Sequence, residues 1–151
     1  MSHVTAIELR VNDLDCLSQG GQELGMELVP LKEFRWYGTH VGDYPLPAGF
    51  KKEDMGKCDY VLRIKNNNRA YEVGVCKARD GQDGFVLLWD FWNGGYGLRN
   101  AIGQNGDKLK QAYASQVAQK HLQQLSREGF RTVKQRRADG TIVLVATGED
   151  E

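Results

Sequence analysis

The stretch "FVLLWDFW", Phe85–Trp92, carries one charge among apolar and aromatic residues. Glycines stand close by on both sides, at Gly84 and at Gly94 and Gly95, so the run has the length of a strand. Both of its alternating faces are apolar. A half-exposed strand would put polar residues on one face, so this one needs cover on at least part of its second face as well. It predicts a central strand, and the rest of the chain must supply its neighbours.

Those neighbours are legible. "VTAIELRV" places Thr5, Ile7, Leu9 and Val11 on one face and Glu8 and Arg10 on the other, the period of a half-buried strand. In "NDLDCLSQGGQELG", Asn12 or Asp13 can cap a helix whose Leu14, Leu17, Gly21 and Leu24 share a face, and Gly25 ends it. Gly20 and Gly21 inside that helix predict either a weak helix or close approach of another backbone. "MELVPLKEFRWYG" reads as extended, with Pro30 favouring an edge or a break. "CDYVLRIK" and "AYEVGVCKA" alternate around "NNNR", a hairpin signature. "GDKLKQAYASQVAQKHLQQLSREG" is the strongest helix. Asp107 can cap it, Leu109, Ala112, Tyr113, Val117 and Leu125 form its stripe, and Gly129 stops it. "FRTVKQRR" and "TIVLVAT" close the chain as a hairpin around "ADG".

Strands outnumber helices and most join by hairpins. The reading is a single α+β domain over residues 1–151. It has an antiparallel sheet of about six to seven strands with two helices packed on one face. A strand–helix–strand–strand order occurs twice and is compatible with two ferredoxin-like halves. A long polar connection covers residues 38–57, and an acidic tail covers 148–151.

Lysine plus arginine equals aspartate plus glutamate, 20 each, so no global field draws the chain to nucleic acid or an anionic membrane. No stretch approaches the roughly 20 apolar residues of a membrane span. The opening "MSHVTAIELRV" has neither the basic region nor the apolar run of a signal peptide. Cys16, Cys58 and Cys76 are odd in number and lack CxxC spacing. Buried thiols in a reducing, cytoplasmic compartment are expected rather than disulfides or a zinc site.

Chemistry is hard to find by spacing. "GGYGLRNAIG" gives Gly95-Tyr96-Gly97, but Asn100 stands where a dinucleotide loop needs its third glycine, and no phosphate-loop lysine follows. His3, His40 and His121 are scattered, with His121 near the stripe of the second helix, so no metal set is expected and no cofactor motif is found. Asp90, among aromatics, must find a donor such as Arg63, Arg99, Lys77 or a backbone N–H, and it is a candidate acid. His40 and Asp43 could form a general-base pair, but no nucleophile accompanies them.

Two irregular segments concentrate the residues that anchor interfaces. One holds Trp36, Tyr37, His40, Asp43 and Tyr44; the other holds Trp92, Tyr96 and Arg99. A basic hairpin with Arg131, Lys134, Arg136 and Arg137 is the candidate for nucleic acid, although alternating charge on an edge strand also blocks sheet-to-sheet pairing.

The chain also resembles a family of unknown function, known from a conserved hypothetical chloroplast reading frame and its cyanobacterial, bacterial and phage relatives. The resemblance runs through "MSHVTAIELRVNDLDCL", "AYEVGV", "LLWDFW", "KLKQAYASQVAQK" and "GFRTVKQRRADGTIVLV", in that order. The longer middle, "FRWYGTHVGDYPLPAGFKKEDMGKCDY", is similar to the bacterial and phage branch. The resemblance implies no catalytic residue. It implies an accessory role, since some relatives lie near genes of AAA-class ATPases. The expected function is a small binding protein with a protein partner. Nucleic-acid binding is the alternative, and catalysis by Asp90 or by His40 and Asp43 comes third.

Overall fold

The computed structural model describes residues 4–38, 46–127, 130–136 and 142–148, the last two by their backbone. Five strands form one antiparallel sheet: β1 (Val4–Val11), β2 (Met26–Val29), β3 (Tyr60–Ile64), β4 (Val73–Lys77) and β5 (Phe85–Asp90). Their spatial order is β1-β5-β4-β3-β2. The strand from "FVLLWDFW" is thus internal, between β1 and β4. Leu87 and Trp89 point to one core, Leu88 to the other, and all are buried.

Helix α1 (Leu14–Glu23) carries the chain from one edge of the sheet to the other. Asp13 caps it, accepting from the Cys16 N–H at 3.0 Å. After β5 come a short helix α2 (Leu98–Ile102) and the long α3 (Asp107–Arg127). Leu17, Leu98, Ile102, Leu109 and Tyr113 from these helices meet Ile7, Leu62, Val75 and Leu87 in one core. α1 and α3 cross closely. A Cβ at Gly20 would stand 3.1 Å from the Ala112 carbonyl carbon and 3.1 Å from the Tyr113 nitrogen, so Gly20 serves a backbone approach, while Gly21 makes room for the Leu62 side chain. The Tyr113 hydroxyl accepts from the N–H groups of Asn12 and Asp13 at 3.0 and 3.2 Å.

The expected strand count needs correction. β6 (Phe130–Arg136) and β7 (Ile142–Gly148) form a separate two-stranded sheet beside α3. The two strands pair with each other along their whole length, so the large sheet keeps five. Nor does the sheet show two ferredoxin-like halves: β2 to β5 run as a meander, and the later helices lead only to β6 and β7. Three helices, not two, cover the helical face. Asp107 is the first residue of α3, with helical dihedrals, rather than its cap. Only the first half of the α3 stripe is buried; Val117 is 39% exposed, and His121, near the stripe in sequence, is exposed. Gly129 lies outside the described residues.

The second face of the sheet is covered by the long connection, which composition marks as a polar loop. Phe34, Phe50 and Met55 pack on Val61, Cys76 and Leu88, with Trp36 and Leu46 at the border. Gly74 of β4 makes room for it. A Cβ there would run into the Phe34 ring, so only a residue without a side chain lets the loop lie this close. The loop also pairs with itself: Phe34 N–H donates to Gly56 O at 2.9 Å and Cys58 N–H to Lys32 O at 3.0 Å.

Candidate functional site

Three segments meet at one end of the sheet. The first is Phe34–Tyr37, laid on the second face. The second is the β3–β4 connection, ending at Ala70, Tyr71 and Glu72. The third is the turn Trp92–Gly97 that follows β5. Each is tied to the next. Arg35 N–H donates to Glu72 Oε1 at 2.7 Å, its guanidinium donates to Ala70 O at 2.7 Å, and Glu72 N–H returns a bond to Arg35 O at 3.0 Å. Tyr71 N–H donates to Gly95 O at 2.9 Å, and the Tyr71 and Tyr96 rings meet edge to face at 5.0 Å.

Asp90 closes the triangle. It is 0% exposed. Its Oδ2 accepts from the Tyr37 N–H at 3.1 Å and its Oδ1 from the Trp92 N–H at 3.0 Å. A buried carboxylate must be hydrogen-bonded, and backbone N–H groups answer the need. Two of the expected partners lie elsewhere: Arg63 pairs with Glu27 at 2.9 Å, and Lys77 is exposed beside Phe85, at the other end of β5 from Asp90. The bond from Asp90 to Trp92 also corrects the extent of the strand. The side chain captures the N–H two residues on, a local turn that ends β5 at Asp90 and takes Phe91 and Trp92 out of it.

The backbone after Trp92 is unusual. Asn93, Gly94, Gly95 and Tyr96 all lie in the left-handed region, with φ between 51° and 66°. Glycine accepts this freely. For Tyr96 it costs roughly 1–2 kcal/mol. Surrounding bonds hold it there, among them the Leu98 N–H to Gly94 O and Gly95 O. The result is that Tyr96 stands 46% exposed, as does Tyr37. Between them Tyr71 is buried, and burial, with Asp90 and Tyr96 nearby, pushes its phenol up to about 12.

Two clefts flank the turn. One, of ≈ 430 Å³, runs along the outer side of β1 and includes Glu8, Trp89, Arg99, Asp107 and Lys110 in its walls. The other, of ≈ 530 Å³, is bounded by Phe91, Trp92, Asn93, Gly94, Arg99 and Asn100. Phe91 and Arg99 are common to both. Asp90 lines neither.

The structure therefore joins Tyr37 to Trp92 and Tyr96, which are more than fifty residues apart in sequence. Trp36 does not join them as an exposed anchor. Its indole lies against Gly56 at the border of the second core. His40, Asp43 and Tyr44 lie outside the described residues, as does Arg137. Arg131, Lys134 and Arg136 sit on β6, whose side chains are outside the description as well. Among the described residues no group of three histidine, cysteine, aspartate or glutamate side chains is placed to hold a metal, and no helix is long and apolar enough to cross a membrane. All three cysteines are free thiols.

Tyr71, Arg35 and Lys110 were not singled out by sequence. Tyr71 sits in a run that alternates like a strand, and only the tie to Gly95 reveals its task. Comparison of the chain with family models, curated proteins and solved structures finds no match.

Proposed function

We propose that the chain is a small accessory protein that binds another protein through the surface of Tyr37, Trp92 and Tyr96, bordered by Arg99. The observation that carries this is the double acceptance by Asp90, which fixes two aromatic segments of distant sequence to one point. Tyrosine, tryptophan and arginine anchor interfaces because each desolvates a large area with few rotors to freeze. A tyrosine kept in a left-handed conformation fits the same reading, since strain of this kind gathers where a side chain must be presented. Asp90 serves as a structural clasp in this reading, not as an acid. The proposed kinship is the bacterial and phage branch of the family the sequence resembles, with an AAA-class ATPase as the first partner to test. The proposed compartment is the cytoplasm, in keeping with three free thiols of which two are buried.

The test is capture from native lysate, identification of the partner, and titration of the purified pair. Alanine at Tyr37, Trp92 or Tyr96 should weaken binding by about 2 kcal/mol or more with the fold intact. Suppose instead that these variants bind normally. If neutralising Arg131, Lys134, Arg136 and Arg137 then abolishes a salt-sensitive association with DNA or RNA, the nucleic-acid reading replaces this one.

A further inference from the structure

We infer that the partner enters this surface as an extended peptide whose aspartate or glutamate carboxylate seats on Arg99; this deepens the protein-binding reading and rests on it. Arg99 is the shared wall of both clefts. Arg10, Arg35, Arg63 and Arg79 each have a carboxylate partner within the chain: Asp80, Glu72, Glu27 and Asp54. Arg69, Arg99 and Arg127 have no such partner among the described residues, and of these three it is Arg99 that lines both clefts. In the ≈ 530 Å³ cleft it is the sole charge among the described lining residues, with Phe91 and Trp92 supplying aromatic area and Asn93 and Asn100 supplying amides. Gly94 and Gly97 leave main chain uncovered there. That set suits a peptide: amides for its backbone, rings for an apolar side chain, and a planar fork for a carboxylate.

The neighbouring cleft bears on the choice between carboxylate and polyphosphate. It adds Lys110 to Arg99, but Asp107 pairs with Lys110 at 3.6 Å and Glu8 is a second carboxylate, so its lining carries no net positive charge. A nucleic-acid backbone needs several cations in line, whereas a single acidic side chain needs one arginine.

The experiment selects binders from a random peptide library against the folded full chain and resynthesises them for affinity measurement. Selected peptides should be enriched in aspartate or glutamate. Their affinity should fall at least about tenfold on Arg99→Ala, and by a similar factor when the peptide's acidic residue becomes its amide. The two changes together should cost little more than either alone, because they remove one contact. Arg99→Lys, which keeps the charge and loses the fork, should fall between. If peptides are lost on Trp92→Ala or Tyr96→Ala but bind Arg99→Ala unchanged, the carboxylate inference is wrong and the protein-binding surface stands. If no peptide is selected, or the selected ones ignore all of these variants, both readings fail. A single-stranded oligonucleotide that binds in an Arg99-dependent way where acidic peptides do not would also overturn the inference.

Discussion

The Tyr37 N–H points at Asp90 Oδ2 from a loop, while the other oxygen of the same carboxylate holds Trp92 at the end of β5. One fully buried side chain thereby sets the distance between two surface aromatics. A lysine or arginine partner would satisfy the charge but would not hold two main-chain segments in register.

Asp90→Ala should cost about 1–3 kcal/mol for each backbone donor it leaves without an acceptor. Asp90→Asn keeps one acceptor and turns a second N–H against an amide, so it should also destabilise. Urea midpoints would register both losses, and tryptophan emission should shift as Trp92 moves. Midpoints equal to the parent in both variants would remove Asp90 from its place as a clasp.

Gly74→Ala should destabilise by about 1–3 kcal/mol, because the new methyl collides with the Phe34 ring and the overpacked loop must lift. The opposing gain from replacing glycine within a strand is smaller, roughly 0.5–1 kcal/mol. Since Phe34 leads to Tyr37, partner affinity should fall with stability. A higher melting temperature would show that Phe34 does not lie on Gly74.

Alkaline pH should unfold the protein in a step tied to Tyr71. Its folded-state value is raised to about 12, above the unfolded value of about 10, so the fold favours the protonated phenol. That contribution is complete below about pH 10 and disappears as pH rises through about 12. Burial moves Cys58 and Cys76 to about 12 as well, with the same sign. Tyrosinate absorbance and circular dichroism should therefore change together in the last phase of the titration, and Tyr71→Phe should abolish that coupling. Full ionisation of all six tyrosines with native dichroism would contradict the burial of Tyr71.

Tyr96→Gly separates presentation from stability. It relieves a left-handed strain of about 1–2 kcal/mol. It also loses an edge-to-face contact with Tyr71 worth about 0.5–1.5 kcal/mol. The side-chain hydrogen bond with Tyr71 and glycine's larger unfolded-state entropy, about 0.5–1 kcal/mol, add to the loss, so melting should fall modestly while partner binding drops sharply. A large loss of stability would make Tyr96 a packing residue instead.

Local pattern carried much of this into view. β1, α1 with its Asp13 cap, the β3–β4 pair and the internal strand β5 all follow from period, capping and turn residues within short windows. The loop over the second face did not, because Phe34, Phe50 and Met55 are scattered among lysines, glycines and prolines and have no period to betray them. The last hairpin looked like two more strands for the large sheet, since strand pattern says nothing about which edge a strand joins. At the site, both aromatic segments were visible singly. Their union was not, because it depends on a carboxylate meeting N–H groups of two segments, and backbone N–H groups look alike in every sequence.

A sheet face roofed by a loop also opens differently from one roofed by helices. Among the described residues the loop side rests on fewer buried side chains, Phe34, Phe50 and Met55, than the three helices supply on the other face, so local opening is expected there before global unfolding. That unit includes Tyr37, so whatever occupies the surface should slow amide exchange at Phe34 and Cys58, behind the contact itself. Occupancy would be readable inside the protein, as protection of a core whose residues the visitor never touches.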